Sequence, residues 1–99
     1  MFEAVYEECL AWELPSRGLA TRRQVAVPVR YRGVTLPIGY RLDLLVEEQV
    51  IVEVKAVDKV NPVVDAQVIT YLKLLRLHVA LIINFNVERL RDGIRRIAI

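Results

Sequence analysis

Length, composition and charge set the first limits on this chain. Its 99 residues match the usual size of one compact domain, and 55% hydrophobic against 26% charged residues exclude a disordered tail. The formal charge of +2 neither indicates nor excludes a nucleic-acid binder. We therefore expect a single domain over residues 1–99, and the high apolar share favours a homodimer that covers part of the surface.

Cysteine content and hydropathy bear on location. Cys9 is the only cysteine, so an internal disulfide is excluded and a reducing compartment is expected. We expect Cys9 and Trp12 to pack in the interior. The N-terminus is acidic where a signal peptide is basic, and no segment reaches the roughly 18 consecutive apolar residues of a membrane span. We predict a cytoplasmic protein that does not bind a membrane.

The first part of the chain predicts a helix followed by extended segments. Apolar residues spaced by three and four indicate an amphipathic helix from Phe2 to about Leu14. A valine-rich alternation indicates a strand over Gln24–Tyr31, and Arg32-Gly33 supplies a turn before an extended run that begins near Val34. Pro28 places the strand at a sheet edge or at a bulge.

The second part of the chain predicts a hairpin, a helix and two further strands. Tyr40–Val46 and Val50–Val57 form the hairpin, and helical spacing covers Val63–Leu75. His78–Phe85 is a short apolar run, typical of a strand that is buried on both faces and parallel to a neighbour. Ile94–Ile99 adds a last strand. This order predicts an α/β protein with one mixed central sheet flanked by helices.

The two strands of the predicted hairpin carry acids where packing would favour apolar side chains. Asp43 lies on the first strand, and Glu53 with Lys55 lies on the second, where residues two apart share a face. Two converging carboxylates form a site for a hard cation such as Mg²⁺. Asp43 and Glu53 share a face only if the loop has an odd number of residues, so we predict a loop such as 47–49.

These residues suggest how a phosphodiester would be hydrolysed. Asp43, Glu53 and the backbone carbonyl of Val54 would hold one or two Mg²⁺ or Mn²⁺ ions, which lower the pKa of a bound water. Lys55 would orient that water or stabilise the charge that builds up on the phosphate.

The two predicted helices carry further candidates. Gln67 and Tyr71 are four residues apart, so they lie on one helical face and could contact a nucleotide together. The alternative is a surface glutamine and a tyrosine packed on the sheet. Glu3 and Glu13 lie along one side of the first helix, so one of them, preferably Glu3, could be an extra metal ligand. The alternative is that both glutamates are solvated.

Eight short motifs occur in order along the chain. They are Glu3-x-x-Tyr6, Glu13-Leu14, Tyr40-Arg41-x-Asp43, Glu53-x-Lys55-Ala56, Ala66-Gln67, Tyr71-Leu72-Lys73, Ile83-Asn84-Phe85 and Asp92-Gly93-Ile94. Together they resemble the PD-(D/E)XK nucleases, in particular their RecB-like exonuclease branch and most closely the GxxExxY family. The resemblance implies a restriction-endonuclease-like αβββαβ core, Mg²⁺ or Mn²⁺ as cofactor and hydrolysis of nucleic-acid phosphodiesters. It also implies metal ligands at Asp43 and Glu53, a catalytic Lys55, and Gln67 with Tyr71 near the substrate.

Three functions follow as hypotheses from the sequence. The first is a Mg²⁺-dependent nuclease acting on DNA or RNA, with DNA favoured, because a pure binder has no need of a buried acid pair beside Lys55. The second is a nucleic-acid-binding or complex-forming subunit without turnover, which the short chain and modest charge favour. The third is a structural homodimer, which would be favoured by a large apolar surface and by acids hydrogen-bonded without metal.

Overall fold

The computed structural model describes residues 2–99. Its elements in chain order are helix α1 (Phe2–Ser16), strands β1 (Thr21–Val27), β2 (Arg30–Tyr31), β3 (Val34–Thr35), β4 (Tyr40–Val46) and β5 (Val50–Lys55), helix α2 (Val63–Leu75), strand β6 (Val79–Asn84), a 3₁₀ helix (Leu90–Gly93) and strand β7 (Ile94–Ala98). The predicted α/β class with a mixed sheet flanked by helices is confirmed. Omitting β2 and β3, the order from α1 to β6 is αβββαβ, to which β7 adds one strand.

One five-stranded sheet organises the fold, in the order β1-β4-β5-β6-β7. The β5–β6 pair is parallel, and the β1–β4, β4–β5 and β6–β7 pairs are antiparallel. The parallel neighbour predicted for β6 is therefore confirmed, and it is β5. The central position of β5 explains its nearly continuous apolar sequence, because both of its faces are covered.

The core consists of two apolar layers on opposite faces of the sheet. The α2-side layer contains Val27, Leu42, Leu45, Ile51, Val64, Val68, Tyr71, Leu72, Ala80 and Ile82. The α1-side layer contains Leu44, Val46, Val52, Val54 and Ile83, with Tyr6, Leu10 and Leu14 of α1 packed against it. Val52 and Val54 thus point into the α1-side layer, as predicted from their alternation with Glu53 and Lys55.

The strand predicted over Gln24–Tyr31 is wrong at both ends. Strand β1 begins at Thr21 and ends at Val27, because Pro28 has no N–H to continue the ladder. The edge position that Pro28 predicted is confirmed, since β1 is an edge strand.

The segment from residue 28 to residue 39, which we call the arm, forms a small hairpin of its own. Strands β2 and β3 pair only with each other. The predicted turn at Arg32-Gly33 is confirmed: their φ values are +51° and +79°, as in the tight two-residue turns of β-hairpins. The chain returns to the sheet at Gly39, where a Cβ atom would lie 2.7 Å from the Val27 carbonyl oxygen. Only glycine allows so close an approach.

Helix α1 buries only part of the apolar face that its sequence predicted. Leu10 and Leu14 pack on the sheet, whereas Phe2 remains 73% exposed. Trp12 is 76% exposed and Cys9 is also exposed, so the packing roles predicted for them are wrong. Within residues 2–99, no helix is both long and apolar enough to span a membrane.

Candidate active site

The β4–β5 hairpin determines where the two predicted acids meet. Its loop comprises residues 47–49, and the register pairs Val46 with Val50 and Leu44 with Val52. The predicted odd loop is confirmed. Continuing this register by one residue places Asp43 opposite Glu53, so the structure brings the two acids together.

Strands β4 and β5 separate at this point, and the acids replace the lost ladder bonds. Regular pairing stops at Leu44 and Val52. Beyond it, the Val54 N–H donates to Asp43 Oδ2 at 2.8 Å, and the Asp43 N–H donates to Glu53 Oε1 at 3.1 Å. Each carboxylate is therefore fixed by the backbone of the facing strand. We call the opening between β4 and β5 beside these two carboxylates the carboxylate gap.

The pairing of β1 with β4 is interrupted next to this gap. Strands β1 and β4 pair before and after Gln24 and Asp43, but these two facing residues do not pair with each other. Gln24 has a φ of +50°, and its carbonyl accepts a 2.8 Å hydrogen bond from the Arg41 side chain. Leu42 belongs to the α2-side layer and Leu44 to the α1-side layer, although residues two apart on a regular strand share a face. The alternation of side chains thus shifts at Asp43. Each strand leaves one residue unpaired there, so the register of β1 with β4 is the same on either side.

A buried glutamate of α1 binds β1 at this interruption. Glu7 is only 7% exposed, and its Oε2 accepts hydrogen bonds from Arg23 Nη2 at 2.8 Å and Nε at 3.2 Å. Its Oε1 accepts a 2.8 Å bond from the Gln24 side-chain amide. Sequence reasoning did not single out Glu7, because nothing in Glu7-Glu8 distinguishes a buried helix glutamate from an exposed one.

The two glutamates that were considered as metal ligands lie elsewhere on α1. Glu13 is exposed and accepts hydrogen bonds from Arg17 and Ser16, so the structure does not bring it to the gap. Glu3 is half-buried, one helical turn before Glu7. Its role as a ligand stays a prediction.

The electrostatics of the gap disfavour two negative charges. Burial raises the pKa of Asp43, as does the charge of Glu7, against the lowering effects of the Val54 N–H and the Lys55 charge. Burial and the negative charge of Asp43 raise the pKa of Glu53 to about 7, and Lys55 again lowers it. A cation in the gap would relieve both the desolvation and the repulsion. Lys55, half-buried on β5, already supplies one positive charge.

Helix α2 contributes one of its two predicted residues to the immediate surroundings of the pair. Tyr71 is buried, and its pKa is raised by burial and by the charges of Glu53, Tyr40 and Asp43. Its ring lies 5.4 Å from that of Tyr40. Gln67 lies one helical turn earlier and is exposed, and its contact with a nucleotide stays a prediction.

The end of β5 is fixed by β6 and its following residues. The Lys55 carbonyl accepts a 2.8 Å hydrogen bond from the Phe85 N–H, so the backbone groups of Lys55 face β6. Successive residues of a strand direct their backbone groups to opposite sides, which turns the Val54 carbonyl towards β4 and the gap. The buried Asn84 side chain bonds both the N–H and the carbonyl of Val57. It thereby fixes the chain just beyond Lys55.

Sequence comparison agrees with this geometry. A family model described as the PD-(D/E)XK nuclease superfamily matches residues 1–97. The chain belongs to the PD-(D/E)XK nuclease superfamily. Comparisons with curated proteins and with solved structures gave no match. The fold described above is the one expected of the superfamily, a restriction-endonuclease-like αβββαβ core.

Members of the PD-(D/E)XK superfamily generally use divalent metal ions, and the donor atoms of this chain fit such an ion. The carboxylates of Asp43 and Glu53 and the carbonyl of Val54 are oxygen donors, which Mg²⁺ and Mn²⁺ prefer. Within residues 2–99, no group of three or more His, Cys, Asp or Glu side chains is arranged to hold a metal. A cation would therefore depend on two carboxylates, backbone oxygen and water, and Mg²⁺ usually retains several waters.

Proposed function

We propose that this protein is a metal-dependent nuclease that hydrolyses phosphodiester bonds of nucleic acid, with DNA as the favoured substrate. Asp43 and Glu53 would hold Mg²⁺ or Mn²⁺, and Lys55 would be the catalytic lysine. The observation that carries the proposal is the carboxylate gap, where β4 and β5 separate beside two desolvated acids and a lysine. The order of the sequence motifs supports membership of the GxxExxY family in the RecB-like branch, and one nuclease-like domain.

Each group of the gap has a distinct role in this proposal. When bound, the cation supplies Lewis-acid chemistry, which polarises the phosphodiester and increases the acidity of water. Asp43, Glu53 and the Val54 carbonyl would hold it, with Glu3 as a further ligand. The Lys55 ammonium group donates hydrogen bonds to the attacking water or to the phosphate oxygens, where negative charge develops in the transition state.

Helix α2 contributes to substrate binding in this proposal. Tyr71 and Gln67 contact the nucleotide whose phosphate lies in the gap. Tyr71 is buried beside the acids, and Gln67 is exposed one turn away, so the pair extends from the gap to the surface.

A catalytically silent nucleic-acid-binding or complex-forming subunit is the second candidate. The hydrogen bonds that Asp43 and Glu53 accept from backbone N–H groups fit it, because they give both acids a structural role. Such bonds allow the fold to form whether or not the chain turns over a substrate.

Cleavage assays separate these two candidates. We would incubate the protein with labelled single- and double-stranded DNA and RNA in Mg²⁺, Mn²⁺ or EDTA, alongside Asp43→Asn and Lys55→Ala. We expect metal-dependent cleavage that falls at least about 100-fold in both variants, as for removal of other groups that stabilise transition-state charge. Glu48→Gln, whose carboxylate pairs with Arg22 away from the gap, is the matched control and should cleave like the wild type.

Two outcomes would overturn the nuclease assignment. One is cleavage that persists in EDTA or in Asp43→Asn, which would place the activity outside the gap or in a contaminant. The other is metal binding without cleavage of any substrate, which would favour the silent subunit. Circular dichroism of each variant excludes loss of fold as the cause.

A cytoplasmic homodimer is also part of the proposal. An apolar groove of about 380 Å³ opens on the α1 side of the sheet, lined by Leu10, Leu14, Leu19, Val46, Glu47, Gln49, Val50, Val52, Leu81 and Ile83. Together with the exposed Trp12, it leaves apolar surface that a second copy could cover. Sedimentation over a concentration series should show a dimer, and a monomer throughout would reject it.

A further inference from the structure

Charge is distributed unevenly along this chain. Residues 14–42 contain six arginines and no acidic residue, whereas residues 1–13 contain four glutamates and no basic residue. From residue 43 onwards, eight basic residues balance eight acidic ones. The small net charge is therefore the sum of a strongly basic segment, an acidic one and a neutral remainder.

The structure divides the six arginines into two groups of three. Arg17 pairs with Glu13, Arg22 with Glu48, and Arg23 with Glu7 and Glu8. In the described part of the chain, Arg30, Arg32 and Arg41 form no ion pair. Two of these three lie on the arm, so the arm carries positive charge that no acidic side chain neutralises.

The arm presents this charge together with an aromatic ring. Every residue from 30 to 40 is exposed, which shows that the arm does not pack into the core. Tyr31 is 61% exposed, and the Arg32 guanidinium lies 5.5 Å from the centre of its ring. Arg30 donates a hydrogen bond to the Gly33 carbonyl across the turn. The turn thus holds a tyrosine between two arginines on a short, solvent-exposed ribbon.

The arm leaves the sheet at the end nearest the carboxylate gap. It starts after Val27 and returns at Tyr40, and these two residues pair across β1 and β4. Tyr40 also contacts Tyr71, which borders the acid pair. Asp43 lies three residues further along β4, so the base of the arm is about 10 Å from it along the strand.

We propose that the arm binds a single strand of nucleic acid that continues from the phosphodiester in the carboxylate gap. This inference rests on the proposed function for the position of the reacting bond. Arg30 and Arg32 contact phosphates of the strand, and the exposed face of Tyr31 stacks on an unpaired base. An aromatic ring combined with arginines is the usual platform for single strands.

Charge favours a nucleic-acid strand over a second copy of the chain as the occupant of the arm. A symmetric contact between two copies brings the same surface together from both sides. Two arms would then place arginines against arginines, and residues 14–42 contain no acid to compensate them. A phosphate backbone supplies the complementary charge.

Binding measurements in EDTA test the arm separately from cleavage. We would measure fluorescence anisotropy of labelled single-stranded and duplex oligonucleotides over a series of salt concentrations. The first variant combines Arg30→Gln with Arg32→Asn, since asparagine tolerates the positive φ of the turn. The second is Tyr31→Thr, which removes the ring and keeps a residue of high strand propensity. The matched control combines Arg17→Gln with Arg22→Gln. Arg17 is paired with Glu13 of α1, and Arg22, at the end of β1 away from the arm, is paired with Glu48.

The two arm variants should both bind single strands more weakly, but with different salt dependence. The double arginine variant should bind single strands about tenfold more weakly and flatten the plot of log affinity against log salt by about 1.4, the value for two phosphate contacts on a single strand. Tyr31→Thr should weaken binding roughly 5- to 100-fold with the salt slope unchanged, because stacking releases no counterions. The control should bind within about twofold of the wild type, since Glu13 and Glu48 already neutralise the two arginines that it removes and such exposed pairs add little to stability.

Four outcomes would overturn the inference. They are wild-type binding by both arm variants, equal weakening by the control, tighter binding of duplex than of single strands, and a change in oligomeric state caused by the arm variants. The result is separable from the proposed function. Arm-dependent binding without cleavage would reject the nuclease alone, whereas cleavage with arm-independent binding would reject the arm alone.

Discussion

The two ends of the β4–β5 pair differ in a way that explains the site. Near the loop, Leu44, Val46 and Val52 are buried in one layer and the ladder is regular. At the other end, Asp43 and Glu53 occupy positions of the same two strands, and side-chain oxygens replace backbone carbonyls as hydrogen-bond acceptors. The apolar end stabilises the fold. At the acidic end the regular pairing is lost, and two carboxylates lie beside each other.

The first prediction contrasts neighbouring residues from the two ends. Leu44 is fully buried, so Leu44→Ala should lower the free energy of unfolding by about 2–5 kcal/mol, through lost burial and the cavity left behind. Asp43→Asn, one residue away, retains an oxygen that can accept the Val54 N–H, so it should change stability by less than about 1 kcal/mol. Urea unfolding of both variants measures the difference. An equal loss of unfolding free energy in the two variants would contradict the claim that the apolar end stabilises the fold and the acidic end does not.

The second prediction concerns pH. The pKa of Glu53 is raised from 4.5 to about 7 in the folded state, mainly by burial, so folding favours its protonated form. Its contribution to stability is therefore fully present below about pH 4.5 and is lost as the pH rises through 7. Asp43, whose pKa is also raised, acts in the same direction. The total loss should be roughly 3 kcal/mol for Glu53, from 1.36 kcal/mol per pKa unit.

The control for this pH dependence is Glu53→Gln, which cannot titrate. Unfolding free energies in EDTA should decline more steeply for the wild type than for the variant between pH 4.5 and 7, the window set by the shift. Parallel pH profiles of the two proteins would show that Glu53 is not desolvated as described.

The third prediction concerns the support of the acidic end. Glu7→Gln removes the charge that binds Arg23 at two nitrogens, and it should cost about 1.5–3 kcal/mol, as for other hydrogen bonds to charged groups. Glu8→Gln is the matched control, because the Glu8 side chain is 64% exposed and its pair with Arg23 should contribute less than about 1 kcal/mol. If thermal denaturation ranked Glu8→Gln as the more costly change, the conformation of β1 at Gln24 would not depend on Glu7.

Much of the framework could be predicted because it depends on local patterns. The helical spacing after Asn61-Pro62 predicts α2 with the bounds observed, Val63–Leu75. The alternation in Val50–Lys55 and the odd loop before it predict that Asp43 lies opposite Glu53. The positions of Lys55 on β5 and of Tyr71 on α2 could be predicted from the same local patterns.

The remaining features depend on contacts between distant segments. Gln24 has no residue preference that indicates a positive φ, and its conformation is held by Glu7 and Arg41 from other elements. Glu7 is buried where it accepts hydrogen bonds from Arg23 and Gln24 of β1, a contact that no local pattern indicates. The boundary between β1 and the arm could not be predicted, because valine alternation continues across Pro28, where the ladder of β1 ends.

Metal-dependent stabilisation of the free protein tests the central claim most directly. Thermal melting would compare EDTA with Mn²⁺ at pH 8 and at pH 5 for the wild type, Asp43→Asn and Glu53→Gln. A cation that binds the folded gap stabilises it by about 2.7 kcal/mol at 100 times its Kd. We predict a clear rise in melting temperature for the wild type at pH 8, a much smaller one at pH 5, where protons compete for Glu53, and none for either variant. An equal rise in the wild type and both variants would contradict a metal site in the carboxylate gap.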